Sequence, residues 1–479
     1  MRQFFVTPCA TLLTATLLTA ALLAAALALP CGARAASSAT ASASNAALRV
    51  RIDALCTAWL ARTGAPSVSI AIVQHGQITY ARAYGFARRH PEIPATTATR
   101  YPIDSVSKEF TAAAVLLLRD AGKLSLSAPV ATYWPGLGAA GDADLRQVLS
   151  HTAGIRDYWP QDFVPDYMKR PTTTAAILAR FAAPGLDFAP GSSWQYSNTG
   201  YTLAGAIVEK FSSQPLVDFL NARIFTPLGM TRVTEDDTAP LSAPDAQGFT
   251  RYGFGPLHPA PKEAAGWLAG AAELAMTPTD LARWDIGLMS SRALPPGDIA
   301  DLERPVPAAD GSSPRYGLGL MHETIAGRHA VGHDGAGSGY FANNVFFPAH
   351  DAAVVVLTNN DFAFPEALTA SLAAAILPPP ANRARAEKVF ADLAAGHIDP
   401  ALFTRDGADY FTPAVLADLR ASLSALGPAR HVTLTGNTRR GGFATTYWQV
   451  TCAKRTVQVV ERATPNGRIE QFLVMMAGS

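Results

Sequence analysis

The sequence is poor in charge and in motifs that bind metals or nucleotides. Only 16% of its 479 residues are charged and the formal net charge is +1. A net charge so close to zero does not indicate a basic surface that would bind nucleic acid or an anionic membrane. The spacing of a zinc site, a Walker loop and a dinucleotide fingerprint are all missing from the sequence. We therefore predict no metal, no cofactor and no nucleic-acid partner.

The first 35 residues are predicted to be a secretory signal peptide. Arg2 supplies a charged start, an apolar run extends to Pro30, and Ala33-Arg34-Ala35 has the pattern of a cleavage site. Residues 36–45, which are small and polar, are predicted to be a linker. The mature protein would then be periplasmic or secreted, without a stable membrane span. Two alternatives are a retained membrane anchor, because the apolar run is long, and a lipidated Cys31, which Pro30 disfavours.

Cysteine is scarce, with four residues in the chain. Cleavage would remove Cys9 and Cys31 and leave Cys56 and Cys452. These two can pair in an oxidising compartment. We favour the alternative that both are buried thiols.

One short stretch, residues 104–108, organises the chemistry. Ser105 precedes a helix predicted over 109–121, in which apolar residues recur at helical spacing so that one side is buried. Lys108 lies three residues later, on the same face as the serine. An alcohol is a weak nucleophile that needs an adjacent base, and an amine forced into a dry pocket can become one. The alternative is a helix cap followed by a solvated lysine.

Further candidates lie in three loops. Tyr196 and Asn198 stand two apart in an irregular segment before a helix, and alternatively form an ordinary turn beside a half-buried aromatic ring. His333 begins a glycine-dense stretch, 333–339, in which the backbone can approach a ligand closely. Its alternative is a flexible hairpin loop. His151, in a third loop, can be a base, although a packed loop histidine is more common.

The pattern of elements predicts an α+β fold. An amphipathic helix over 46–63 precedes a hairpin of strands 67–73 and 78–83. Late strands are predicted at 316–321, 329–331, 344–347 and 353–357. Both ends of this domain would build one antiparallel sheet flanked by helices, with a helical insert between them and the active site at the seam.

A proline run near residue 378 marks a domain boundary. The first domain would span 46–377, and a small C-terminal α+β domain would span 383–479. That second domain is predicted to have helices at 383–395 and 412–426, then strands near 432 and at 445–451, 456–461 and 468–475. It resembles the cystatin-like accessory domains of secreted hydrolases.

Three short motifs carry a resemblance to a known superfamily. They are Ser105-Val106-Ser107-Lys108, Tyr196-Ser197-Asn198 and His333-Asp334-Gly335, and each pattern occurs once. In that order they resemble the active-site boxes of the serine β-lactamases and penicillin-binding proteins. The resemblance covers residues 46–377. It is nearest to the class C-related branch of esterases, D-aminopeptidases and D-Ala-D-Ala carboxypeptidases.

The resemblance implies a role for each box. Ser105 would be the acylated nucleophile, with Lys108 and Tyr196 moving its proton. Substrate would be bound by Asn198, His333 and Gly335. The backbone N–H groups of Ser105 and Ala336 would form the oxyanion hole.

The third box departs from the β-lactamases, which usually carry lysine where this chain has His333. Because histidine is only partly charged near neutral pH, we expect weak binding of a substrate carboxylate. The expected function is an exported serine hydrolase that forms an acyl-enzyme with esters or D-amino-acid amides and peptides. The alternatives are a true β-lactamase, or a penicillin sensor or peptide-binding protein without turnover. The substrate would be a small molecule or a peptide, and the oligomeric state stays open.

Overall fold

The computed structural model describes residues 31–161, 163–379 and 381–476. Most of the predicted signal peptide therefore lies outside the described residues. Contacts divide the chain into Met1–Asp53 and Ala54–Ser479. The first helix, α1 (Cys31–Thr63), ends just before Gly64, as predicted. It also runs through 36–45, where alanine-rich sequence favours helix. The linker role of these residues stays a prediction.

Among the described helices, none has the length and apolar character needed to cross a membrane.

The strands within residues 67–358 are short in the middle of this range and long at its two ends. In chain order they are β1 (Ser67–Gln74), β2 (Gln77–Arg89), β3 (Glu92–Pro94), β4 (Tyr101–Pro102), β5 (Thr234–Glu235), β6 (Phe249–Arg251), β7 (Leu257–Pro259), β8 (Leu274–Met276), β9 (Met321–Ile325), β10 (Arg328–Gly337), β11 (Tyr340–Phe347) and β12 (Ala352–Thr358).

Within the described residues, one antiparallel sheet has seven strands in the order β3-β2-β1-β12-β11-β10-β9. The early hairpin and the late strands meet where β1 pairs with β12, with Ile70 opposite Val356. Every residue of β11 and β12 is buried, as expected for strands covered on both faces. The predicted α+β architecture, with one sheet built from both ends of the domain, is confirmed.

The helical insert lies between β4 and β8, and further helices flank the late strands. In chain order after α1 the helices are α2 (Ser107–Asp120), α3 (Leu145–Leu149), α4 (Thr174–Ile177), α5 (Asn198–Ser212), α6 (Leu216–Leu220), α7 (Thr226–Leu228), α8 (Pro278–Met289), α9 (Pro296–Glu303), α10 (Glu366–Ile376), α11 (Ala381–Ala395), α12 (Arg405–Asp409) and α13 (Pro413–Ser424).

The central helix α2 differs from its prediction in burial. Apolar spacing indicated one buried side, yet every residue from Ser107 to Leu116 is buried. Neighbours cover it on all sides: Trp284 of α8 packs 4.6 Å from the Phe110 ring, and Thr111 donates to the Gly270 carbonyl. A helix buried all round can keep polar side chains only by bonding them internally. Lys108 and Glu109 are therefore placed in a dry interior.

Two strand predictions near the site are corrected. Residues 317–320 form a turn, and the strand begins only at Met321. The backbone of this turn packs against the end of α9, where Leu318 N–H donates to the Leu302 carbonyl and a Cβ at Gly317 would lie 2.0 Å from the same oxygen. The stretch 333–339 is not a flexible loop. Strand β10 continues to Gly337, and its pairing with β11 runs to Tyr340.

The C-terminal elements form a second hydrophobic cluster around Trp448 and Phe390. The strands β13 (Ala429–Arg440), β14 (Phe443–Cys452), β15 (Thr456–Ala463) and β16 (Ile469–Met476) pair in sequence order. The predicted helices and strands of this region are confirmed. Its boundary near 377 stays a prediction, because contacts group Ala54–Ser479 as one compact unit.

Cys56 and Cys452 are both buried, and no disulfide joins them in the part of the chain that the structure describes. This agrees with the favoured interpretation of their sequence positions.

Candidate active site

Ser105 stands at the entrance to α2. It is the middle residue of a 3₁₀ turn, Asp104–Val106, that continues directly into the helix, and it is partly exposed. Asp104 has φ of 46°, a left-handed conformation that is uncommon for a residue other than glycine. The backbone before it is fixed by a 2.9 Å bond from Ile103 N–H to the Leu274 carbonyl. The strained turn therefore presents Ser105 from a rigid base.

Lys108 points from α2 back to Ser105. Its Nζ lies 2.9 Å from Ser105 Oγ, 2.8 Å from Asn198 Oδ1 and 2.9 Å from the Ala271 carbonyl oxygen. The side chain is completely buried. The three partners match the three N–H donors of an ammonium group, so the sequence spacing has brought the pair within hydrogen-bonding distance as predicted.

The surroundings of Lys108 favour its neutral form. Burial lowers the pKa of Lys108 to about 7, and the negative charges of Asp157, Asp104 and Asp334 oppose this shift. The rings of Tyr196 and Tyr201 lie 4.8 and 5.6 Å from Nζ. A substantial share of the lysine is thus uncharged near neutral pH, as a general base requires.

Asn198 is held from two sides at the start of α5. Ser197 caps this helix by accepting the Gly200 N–H. The carboxylate of Asp157 accepts the Asn198 backbone N–H at 3.0 Å and its amide Nδ2 at 3.3 Å. The amide is consequently oriented with Oδ1 toward Lys108.

Tyr196 packs beside the serine. Its ring lies 4.3 Å from that of His151, and its hydroxyl interacts with Ser105. Burial raises the pKa of Tyr196 well above its usual range, although the Ser105 bond opposes the shift. His151 accepts the Ser197 N–H at Nδ1, at 3.1 Å, and burial lowers its pKa well below the usual range. The second interpretation of His151, a packed loop histidine, fits this position.

The third box lies on an open strand edge. Pairing of β9 with β10 ends at Gly332, so residues 333–337 pair with β11 alone. The same strand contacts the Ser105 turn. A Cβ at Gly335 would lie 2.1 Å from the Ile103 carbonyl oxygen. Only glycine permits this approach. Ala336, the next residue, is exposed at that edge.

Both ring nitrogens of His333 bond within the protein. Its Nδ1 bonds to the Asp334 carbonyl, which can only accept, so Nδ1 carries the hydrogen. Nε2 then accepts from the Tyr316 hydroxyl at 2.9 Å. Burial lowers the pKa of His333, with Asp334 opposing and Lys108 adding to the shift. Both ring nitrogens are therefore occupied in a neutral, buried side chain.

Residues 52–377 match the Beta-lactamase family. This match spans more than half of the chain. The chain belongs to the beta-lactamase family.

Curated relatives of this beta-lactamase family member include proteins named D-aminopeptidase. The protein of that name from Brucella ovis is 29% identical over 328 residues, which cover 67% of this chain and 62% of the relative. The one from Cereibacter sphaeroides is 28% identical over 317 residues, covering 64% and 59%. The chain thus spans about three fifths of the length of these relatives.

Solved structures agree on the fold. A D-stereospecific amidohydrolase from Streptomyces sp. is 25% identical with a TM-score of 0.59, and the match covers 68% of this chain and 98% of that protein. The octameric penicillin-binding protein homologue from Pyrococcus abyssi is 21% identical with a TM-score of 0.63, covering 89% and 96%. At that lower identity the likeness concerns the fold alone.

The sequence motifs did not predict three groups that contact the site residues of this family member. Asp157, the Ala271 carbonyl and Tyr316 are distant from the motifs along the chain and contact Asn198, Lys108 and His333 respectively. Asp157 lies only six residues after His151, in the same stretch of the chain as that candidate. The other two left no signal, because a backbone carbonyl and a buried tyrosine occur in any core.

Proposed function

We propose that this protein is an exported serine hydrolase that forms an acyl-enzyme on Ser105 and acts on D-amino-acid amides and peptides or on simple esters. One observation carries the proposal, the set of partners around Lys108 Nζ. Asn198 Oδ1 and the Ala271 carbonyl oxygen can only accept hydrogen bonds, whereas Ser105 Oγ can also donate. The two hydrogens of a neutral amine would therefore occupy the carbonyl oxygens, and its lone pair would face the serine.

This arrangement allows Lys108 to act as the base while Ser105 is acylated. Lys108 takes the Ser105 proton as Oγ forms a bond to the substrate carbonyl carbon. The carbonyl π pair moves to oxygen, where the Ser105 and Ala336 N–H groups would stabilise the negative charge. Collapse of this intermediate breaks the bond to the leaving amine or alcohol, which departs with the proton that Lys108 took from Ser105. Water then gives a proton to Lys108 as its oxygen attacks the acyl carbon, the bond between that carbon and Ser105 Oγ breaks, and Lys108 returns the proton to Oγ.

Tyr196 is assigned as the proton relay to the leaving group. Its pKa lies well above the usual range because of burial, so its hydroxyl keeps its proton near neutral pH. Lys108, with a pKa of about 7, is the better base. This pair of opposed pKa values divides the acid and base roles between two neighbouring side chains.

The substrate class follows from His333 and from the relatives. A neutral histidine with both nitrogens occupied offers no fixed cation to the carboxylate of a β-lactam. The relatives named D-aminopeptidase and the D-stereospecific amidohydrolase point to amides of D-amino acids. We therefore expect slow or negligible β-lactam turnover.

The test combines turnover with trapping of the acyl-enzyme. Purified protein would be assayed on D- and L-amino-acid p-nitroanilides, p-nitrophenyl butyrate and nitrocefin, and intact mass would follow labelling by a fluorophosphonate. Ser105→Ala should abolish both labelling and turnover, whereas Ser371→Ala, at a partly exposed position on α10 where the hydroxyl donates only to the Ala367 carbonyl, should change neither. Undiminished labelling of Ser105→Ala would exclude the mechanism. Labelling without turnover of any substrate would favour a penicillin sensor.

Export is proposed from the N-terminal sequence alone. N-terminal sequencing of the protein from the periplasm or the medium should begin at Ala36. A mature chain that retains Met1 and its apolar run would contradict it.

A further inference from the structure

We propose that Asp157 is a positioning residue that makes Lys108 a base by fixing the orientation of the Asn198 amide. The proposal rests on the function proposed above. It concerns a residue in none of the three motifs, which acts on Ser105 through two intermediate side chains.

The contacts form one chain from Asp157 to the nucleophile. Asp157 Oδ1 accepts the backbone N–H groups of Asn198 at 3.0 Å and Trp159 at 3.1 Å, and its Oδ2 accepts Asn198 Nδ2 at 3.3 Å. Asn198 Oδ1 then accepts from Lys108, which lies next to Ser105. Asp157 as a whole residue is 9% exposed, so water has little access to these bonds.

The orientation of the amide decides what Lys108 can do. With Oδ1 toward Nζ, Asn198 occupies an N–H of the lysine and leaves the lone pair for Ser105. If the amide flipped, its Nδ2–H would donate to that lone pair and compete with the serine proton. The Asp157 carboxylate can only accept hydrogen bonds, so it opposes the flip. A flipped amide would place Asn198 Oδ1 against Asp157 Oδ2 with no hydrogen between them.

Asp157 also sets the charge around Lys108. The groups that face this lysine are Asp157, Asp104, Asp334, Tyr196, Tyr201, His151 and His333. Among the carboxylates that raise the pKa of Lys108 against the effect of burial, Asp157 has the largest effect. Burial raises the pKa of Asp157 itself, but its three N–H donors and Lys108 oppose the shift and favour the ionised form.

The test measures the fluorophosphonate labelling rate of Ser105 from pH 5 to pH 9. In Asp157→Asn the new amide donates toward Asn198 and favours the flipped orientation. We expect the plateau rate to fall about tenfold, as for a lost buried hydrogen-bond partner. The acid limb should move about one unit to lower pH, because a nearby negative charge is gone. Asp187→Asn is the matched control, since Asp187 is a carboxylate in a neighbouring loop paired with Arg156 at 3.1 Å.

A double variant separates orientation from general damage. Asp157→Asn with Asn198→Asp restores an acceptor toward Lys108 and a donor from position 157. Its plateau rate should recover at least severalfold over Asp157→Asn, and its acid limb should lie above that of the wild type, because the carboxylate now adjoins the lysine. If Asp157→Asn does not fold, Asp157→Ala should show the same downward movement of the limb.

Two results would overturn the inference. One is an acid limb of folded Asp157→Asn or Asp157→Ala that coincides with the wild type. The other is a folded double variant no faster than the single variant. Either result would show that Asp157 has a structural role only. Failure of the proposed function is distinguishable, because the wild-type protein would then not label at Ser105.

Discussion

The protonation of Lys108 predicts how fast Ser105 reacts at each pH. Burial lowers the pKa of this lysine to about 7. The neutral fraction is then about one half at pH 7, about one tenth at pH 6 and about one hundredth at pH 5. If the neutral amine is the base, the labelling rate of Ser105 should fall about fivefold from pH 7 to pH 6 and about tenfold from pH 6 to pH 5, and it should level off above pH 8.

Substitution of Lys108 by arginine tests the same claim without changing pH. A guanidinium keeps its charge throughout this range and cannot accept the serine proton. Loss of a general base typically slows a step about 10²- to 10⁴-fold, and we expect a loss in that range. Lys123→Arg is the matched control, because its ammonium donates to the Phe211 carbonyl at the surface.

The assay is stopped-flow or gel-based labelling with a fluorophosphonate, with folding checked by circular dichroism. A rate that is flat between pH 5 and pH 8 would refute the assignment of Lys108 as the base. So would a folded Lys108→Arg variant within tenfold of the wild type. A limb centred well below pH 6 would instead assign the base to a histidine.

Three further predictions concern the surroundings of the site. Burial raises the pKa of Asp285 to about 8, although an Asn344 bond opposes it, so from about pH 5 to pH 7 the folded state keeps a proton that the unfolded state releases. The free energy of unfolding of the wild type should therefore fall by about 1.4 kcal/mol for each unit that the pH rises in this range, because of this group. Asp285→Asn should remove that dependence, and parallel pH curves of chemical denaturation for both proteins would contradict it. His333→Lys supplies a permanent cation in place of a ring bonded to Tyr316, and should raise the ratio of nitrocefin to p-nitrophenyl butyrate turnover about tenfold; an unchanged ratio would show that this position does not set substrate class. A truncated protein ending at Leu377 should keep esterase activity, because the site residues precede it, and a folded but inactive product would show that the C-terminal residues complete the cleft.

Local sequence determined the elements and the first pair of site residues. The hairpin, the buried late strands and α2 follow from short-range patterns of apolar residues. The spacing of Ser105 and Lys108 alone places both on one side of a helix start, whatever the rest of the chain does. Motif order then indicated the family, which the match over residues 52–377 shows.

Tertiary structure decided what those residues can do. The pKa of Lys108 depends on its burial against α5 and the Ala271 carbonyl and on carboxylates from other segments, which no local pattern encodes. The orientation of Asn198 depends on Asp157, 41 positions away in the chain. His333 was expected to face the substrate, but the Tyr316 hydroxyl and the Asp334 carbonyl occupy its nitrogens. Hydrogen-bond partners and desolvation are properties of the assembled neighbours, so only the folded chain specifies which group holds the proton.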